Sequence, residues 1–225
     1  MAKQFKIRAA ANSATIYVYD EIGAWGVSGK DFAEQMAGLS VGDINVRINS
    51  PGGDVFDGLA MYNLLRDHPA EVTVDVDGWA ASAASVVAMA GDRINMASNA
   101  FLLIHAPWTV HGGNSWDFRK MADQLEAIES SLVDTYATRR NINREVIAEW
   151  VAEETLFSAD GAVDAGMADA VTGESAIAAS ADFSSCRFLP QPMRGLKAQA
   201  LTVKDVISME ANRRKRELTI GRHRG

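Results

Sequence analysis

A hydroxyl becomes a nucleophile when a base can take its proton and donors can hold the charge that develops on the attacked carbonyl. Three stretches of this 225-residue chain carry residue types suited to that work. Gly78-Trp79-Ala80-Ala81-Ser82-Ala83-Ala84-Ser85 sets a serine among small side chains. At a strand-to-helix turn those neighbours leave room for a tetrahedral intermediate, and the amide after the serine is free to donate to an oxyanion. The stretch is not the Gly-x-Ser-x-Gly hydrolase elbow, and close helix packing with Ser82 as a cap is the plain alternative. His105 follows the apolar run Phe101–Ile104. An imidazole at a strand end can take a serine proton and return it to a leaving amine; the plain alternative is a partly buried histidine with ordinary partners. The third stretch is Ser50-Pro51-Gly52-Gly53-Asp54, where paired glycines let backbone amides approach a ligand beside a helix start, or simply make a tight turn. Neither Gly-x-Gly-x-x-Gly nor Gly-Lys-Ser/Thr is present, which excludes Rossmann and P-loop readings. His68, His111 and His223 lie in polar, loop-like or tail settings, and no pair has metal-ligand spacing, so no metal is expected.

The elements that must position these residues follow from periodicity. Ala14–Tyr19, Ile44–Ile48 and Val72–Val76 read as strands, and Phe101–Ile104 as a strand buried on both faces. Ser28 can cap a helix through Phe32, Met36 and Leu39. A second helix carries Val55, Leu59, Tyr62 and Leu65, and a third starts near Ser82 within the small-residue stretch to Ala90. A long helix spans roughly Trp116–Arg139, and a shorter one runs from Asn143, a plausible cap, to Glu153. Strands alternating with helices predict an α/β fold with largely parallel pairing, without internal repeats.

Composition bounds the remainder. With 48% hydrophobic and 23% charged residues the chain is neither disordered throughout nor fibrous, and its one cysteine, Cys186, excludes an internal disulfide framework and Cys-rich zinc modules. No apolar run reaches the ~18 residues of a membrane span, and no signal peptide is read at the start, so a cytoplasmic protein is expected. The net charge of −7 divides into +7 on residues 187–225 and −14 on residues 1–186. Together with the Ala/Ser-rich stretch Ser175–Ser185 and Pro190 and Pro192, this predicts a domain over 1–175 and a basic C-terminal extension over 176–225.

Taken in order, Ile48-Asn49-Ser50-Pro51-Gly52-Gly53, Gly78-Trp79-Ala80-Ala81-Ser82, Ile104-His105-Ala106-Pro107 and Leu156-Phe157-Ser158-Ala159 resemble the proteolytic subunit family of the Clp proteases. The fourth match continues from Ala162-Val163-Asp164 to Asp169, and the resemblance covers about residues 14–172. It implies a Clp/crotonase-like α/β fold of repeated ββα units, with the long helix around Trp116–Arg139 protruding as the handle by which rings associate. It also implies a self-compartmentalising serine endopeptidase that needs no cofactor and binds its polypeptide substrate extended. Ser82 would be the nucleophile, His105 the general base, and the amides of Gly53 and Ala83 the oxyanion hole. The family's acid, an aspartate, falls on Glu154, with Glu153, Asp160 or Asp164 as substitutes.

Two regions depart from the family pattern. Residues 1–22 do not match the segment that engages an ATP-driven unfoldase, so coupling to one is not implied. The start and the basic tail look more like the Clp-like prohead proteases of tailed phages, acting on capsid or scaffold proteins in a bacterial host's cytoplasm. The tail pattern fits a short amphipathic helix or a solvated extension, and neither nucleic acid nor membrane is expected as a partner. Three rival readings stay open: a general proteolytic subunit working with an ATPase, a crotonase-like acyl-CoA hydratase or isomerase, and a catalytically dead ring used as a scaffold.

Overall fold

Alternating apolar and polar residues give the central strands one face for the core. The computed structural model describes residues 6–173. Its strands are β1 (Lys6–Ala9), β2 (Ser13–Val18), β3 (Asp43–Ser50), β4 (Glu71–Ala81), β5 (Arg93–Ala97), β6 (Phe101–Ile104), β7 (Thr155–Ser158) and β8 (Ala170–Thr172). They form one sheet in the order β1-β2-β3-β4-β5-β8, with β6 on β4 and β7 on β6. The register places Ile16, Val46, Val74 and Ile94 in a row across β2, β3, β4 and β5, all fully buried. Each such burial stabilises the fold by about 1.5–3 kcal/mol, so a charge anywhere along that row would break it.

The helices are α1 (Gly29–Met36), α2 (Val55–Asp67), α3 (Ala83–Ala88), α4 (Ser115–Arg140), α5 (Arg144–Ala152) and α6 (Ala159–Asp164). Helices α1, α2 and α3 connect strands that pair in parallel, from β2 through β5. The antiparallel pair β1–β2 precedes α1, whereas β5 and β6, which precede α4, each pair with β4 rather than with one another. Ser28 caps α1 as expected, its hydroxyl accepting from the Asp31 N–H at 3.1 Å. Asn143 caps α5 by accepting from the Glu145 and Val146 amides. A capping box of Asn114 and Asp117 starts α4, whose 26 residues extend ~39 Å. Only Leu132, Val133 and Tyr136 of α4 are buried, and Trp116 and Phe118 near its start are exposed. None of the residues in its first half is fully buried. Among the described residues, no helix is long and apolar enough to cross a membrane.

Strand β4 decides where the site forms. Its first half, Thr73–Val76, pairs with β5, and its second half, Trp79–Ala81, pairs with β6. The strand thus runs on through Gly78-Trp79-Ala80-Ala81, which periodicity left unassigned. Burial is continuous from Val76 onward, because both faces of this half are covered and no alternation survives to be read. Strands β6 and β7 pair antiparallel, Ile104 opposite Thr155. The extension read over 176–225, with His223, lies outside the described residues.

Candidate active site

Open α/β sheets place their ligand sites beyond the carboxyl ends of parallel strands, and three such ends meet here. Strand β4 ends at Ala81 opposite Leu103 of β6, so Ser82 follows one strand and His105 the neighbouring one. The Ser82 N–H donates to the Leu103 carbonyl at 3.0 Å, pinning the turn to β6. Ser82 adopts φ 55 and ψ −126, a region costly for any residue with a Cβ, and α3 begins at the next residue. Its hydroxyl makes no capping bond, so the helix-cap reading does not apply. A strained strand-to-helix turn of the hydrolase-elbow kind is therefore present without the glycine signature. Ala80 and Ala84, at the two glycine positions of that signature, are small enough to replace it.

Beyond the end of β3, Ser50 organises the glycine turn. Its hydroxyl donates to the Asp20 carbonyl at 2.7 Å and accepts from the Gly52 N–H at 3.1 Å. Gly52, at φ 84, packs directly on the serine turn. A Cβ there would stand 2.4 Å from the Ala81 oxygen, 2.7 Å from the Ser82 Cβ and 2.8 Å from the Ala83 nitrogen. The Ile22 N–H bonds the Gly52 carbonyl and the Asp54 N–H bonds the Ile22 carbonyl. That parallel bridge leaves the Gly53 N–H turned away from Ile22. The Ala83 N–H opens α3, where no intrahelical acceptor exists for it.

His105 is 8% exposed, and its Nδ1 lies 2.7 Å from the Ala106 carbonyl. A carbonyl only accepts, so Nδ1 carries the proton and Nε2 is the basic nitrogen. Burial holds the imidazole pKa below its ordinary range, while the Ala106 carbonyl and the Glu154 charge pull it partly back. Continuing the β6–β7 register past Ile104 and Thr155 sets Glu154 across from His105. Glu154 is exposed, and it occupies a left-handed conformation, φ 52, at the end of α5. Glu153, Asp160 and Asp164 are also exposed, and Glu154 is the carboxylate whose charge reaches the ring. Of the weaker histidines, His68 is tied to the Leu39 carbonyl and the Ala70 amide, and His111 stacks edge-on against Phe118.

Ser82, His105, Gly53 and Ala83 line a single cleft of about 930 Å³. One wall is α4, through Met121, Leu125, Ile128, Leu132 and Tyr136, and Trp108 and Val110 add apolar surface. The 4-3-4-4 spacing of those α4 residues was visible in the sequence as a stripe, but not that it faces Ser82. Two other residues were missed. Ser85 sits one turn after Ser82, and its hydroxyl meets that of Tyr136 at 2.8 Å. Nothing in the sequence joins residues 51 positions apart.

Strained serine turn, buried histidine and paired free amides on this sheet define an α/β protein with a hydrolase-like site. The Clp protease family model matches residues 4–175, and the chain belongs to that family. It is 35% identical over 132 residues to the ATP-dependent Clp protease proteolytic subunit 3 of Rhodococcus jostii, covering 57% of this chain and 65% of that one. Against the ATP-dependent Clp protease proteolytic subunit of Deinococcus radiodurans it is 30% identical, covering 57% and 64%. The chain thus spans a little under two-thirds of these curated relatives. A point variant of ClpP1 from Listeria monocytogenes superposes with a TM-score of 0.64 at 21% identity, covering 71% of this chain and 91% of that one. The fold is therefore ClpP-like.

Proposed function

We propose that this chain is a serine endopeptidase. The observation that carries the reading is the convergence on one cleft of an uncapped serine in a strained turn and a buried imidazole whose basic nitrogen is Nε2. In this reading Ser82 Oγ attacks the scissile carbonyl as His105 Nε2 takes its proton. The Gly53 and Ala83 amides stabilise the oxyanion, and His105 returns the proton to the departing amine. Water then hydrolyses the acyl-enzyme by the same route. Glu154 steadies the imidazolium across the strand pair. The substrate is a polypeptide laid extended along the cleft, with an apolar side chain preferred against the α4 wall. No step calls for a cofactor. The active form is a homo-oligomeric ring, with the exposed first half of α4 as its contact.

The test is fluorophosphonate labelling with peptide cleavage in the unmodified chain and in Ser82→Ala. Both activities should be lost in the variant while the fold is kept. Undiminished cleavage by that variant would refute the assignment, and turnover of an acyl-CoA thioester surviving in it would favour the crotonase-like alternative.

For the biological role, the basic residues of 187–225 and the resemblance to prohead proteases support processing of capsid or scaffold proteins during phage head maturation. A second reading is favoured by the names of the curated relatives, ATP-dependent Clp protease proteolytic subunits. In that case degradation of a folded substrate would require an ATPase and ATP. Cleavage of a scaffold protein by the chain alone supports the first role, and strict ATP dependence the second.

A further inference from the structure

We propose that Ser85 and Tyr136 are positioning residues, a two-hydroxyl relay that holds the Ser82–Ala83 peptide and so aims the Ala83 N–H at the oxyanion. The inference rests on the serine-endopeptidase reading and deepens it. The Ser85 hydroxyl donates to the Ser82 carbonyl at 2.6 Å, which uses its one hydrogen. Its 2.8 Å contact with Tyr136 must then be a bond donated by the phenol. The relay runs in one direction, from Tyr136 O–H to Ser85 Oγ–H to the Ser82 carbonyl. Ser85 is fully buried and Tyr136 is 3% exposed. A buried phenol is costly unless its hydroxyl is bonded, and a phenylalanine would fill the same space without that requirement. The hydroxyl therefore serves Ser85, and Ser85 serves the carbonyl.

That carbonyl matters because of the plane it belongs to. The C=O of Ser82 and the N–H of Ala83 share one planar trans peptide, so they point in opposite directions and turn together. At the Ser82 ψ of −126, which sets this plane, it is held by the Ser85 amide at 2.9 Å, a longer contact from the Val86 amide at 3.4 Å, and the Ser85 hydroxyl. The hydroxyl bond is the shortest of the three. Donation to the carbonyl also polarises the peptide and strengthens its N–H as a donor, and a second hydroxyl behind the first adds to the effect. Because Tyr136 belongs to α4, the relay anchors the long helix that walls the cleft to the atom pair on which acylation depends.

The test compares Tyr136→Phe, Ser85→Ala and the double variant by fluorophosphonate labelling rate and peptide kinetics, normalised to titrated active sites. Losing an oxyanion donor costs 10²–10³ in rate, and misaiming one should cost about tenfold. We expect kcat and labelling rate to fall about tenfold in each single variant with KM within twofold, and the double variant to match Ser85→Ala alone. Should Ser85→Ala not fold, Tyr136→Phe carries the test, since it keeps the ring and removes only the hydroxyl. Normalised rates equal to the unmodified chain's, with only the melting temperature lowered, would overturn the relay and leave the serine reading standing. Failure of the unmodified chain to label would overturn both.

Discussion

Two non-glycine residues flanking His105 share a positive φ, Ser82 at 55 and Glu154 at 52, yet the molecule treats them differently. Ser82 is held through its N–H by Leu103 and through its carbonyl by Ser85, with Gly52 packed against its Cβ. Glu154 is exposed, its N–H donating to the Val151 carbonyl at 3.2 Å as the αL residue that closes α5. Strain persists only where the surroundings over-determine it, and on the serine side they do. The acid side is loosely built, and His105 does not depend on it for its tautomer, because the Ala106 carbonyl already takes the Nδ1 proton. Catalysis should therefore be brittle on one side of the imidazole and tolerant on the other.

The largest effect should come from the imidazole between them. His105→Ala should slow labelling of Ser82 by about 10³-fold, within the span general-base catalysis supplies, while the protein stays folded. In the unmodified chain the labelling rate should fall with pH at a midpoint below the ~6.5 of a free histidine, since burial disfavours the imidazolium. A midpoint above 7 would show that the charge of Glu154 outweighs burial.

Next comes the brittle side. Gly52→Ala drives a Cβ into the Ala81 oxygen and the Ser82 turn at a backbone angle that favours glycine. We expect about a 10²-fold loss of labelling, with clear destabilisation in thermal unfolding. A rate within threefold of the unmodified chain would mean that the serine turn is not held by the glycine turn beneath it.

The tolerant side should respond less, and in two directions. Glu154→Gln should slow labelling only about tenfold, well short of the ~10⁴ lost with a buried triad aspartate. Because the Glu154 charge raises the His105 pKa, removing it should move the midpoint further down. Glu154→Gly should cost similar activity while stabilising the fold by up to about 1 kcal/mol, since glycine accepts φ 52 without strain. Activity and stability moving oppositely at 154 would mark the glutamate as kept for function. A destabilised Glu154→Gly would end that argument.

The contrast also explains what sequence reasoning could reach. Ser82, His105 and the glycine turn were legible because each needs a local signature: small neighbours, an apolar strand before it, paired glycines. Strands β2 and β3 were legible from alternation, and the caps Ser28 and Asn143 from their side-chain oxygens. The second half of β4 was not, since burial on both faces erases the period-2 pattern around Trp79. Strands β1, β5 and β8 have five residues or fewer, too little pattern to rise above loop. Which of Glu153, Glu154, Asp160 and Asp164 lies opposite His105 depends on strand register, which pairs residues 104 and 155 and is not written in either segment. Tyr136 was out of reach for the same reason: its partner is set by how α4 crosses α3.

The smallest effect tests whether the acid is placed by its helix or by its strand. Asn143 starts α5, nine residues of helix that end just before Glu154, and its side chain caps the first-turn amides. Asn143→Ala should cost about 1 kcal/mol of stability, the usual worth of such a cap. If the β6–β7 ladder alone positions Glu154, fraying at the far end of α5 should leave the carboxylate opposite His105, with labelling rate and pH midpoint unchanged within twofold. A midpoint lowered as in Glu154→Gln would instead show that the whole helix holds the charge in place. The acid side would then be as tightly built as the serine side.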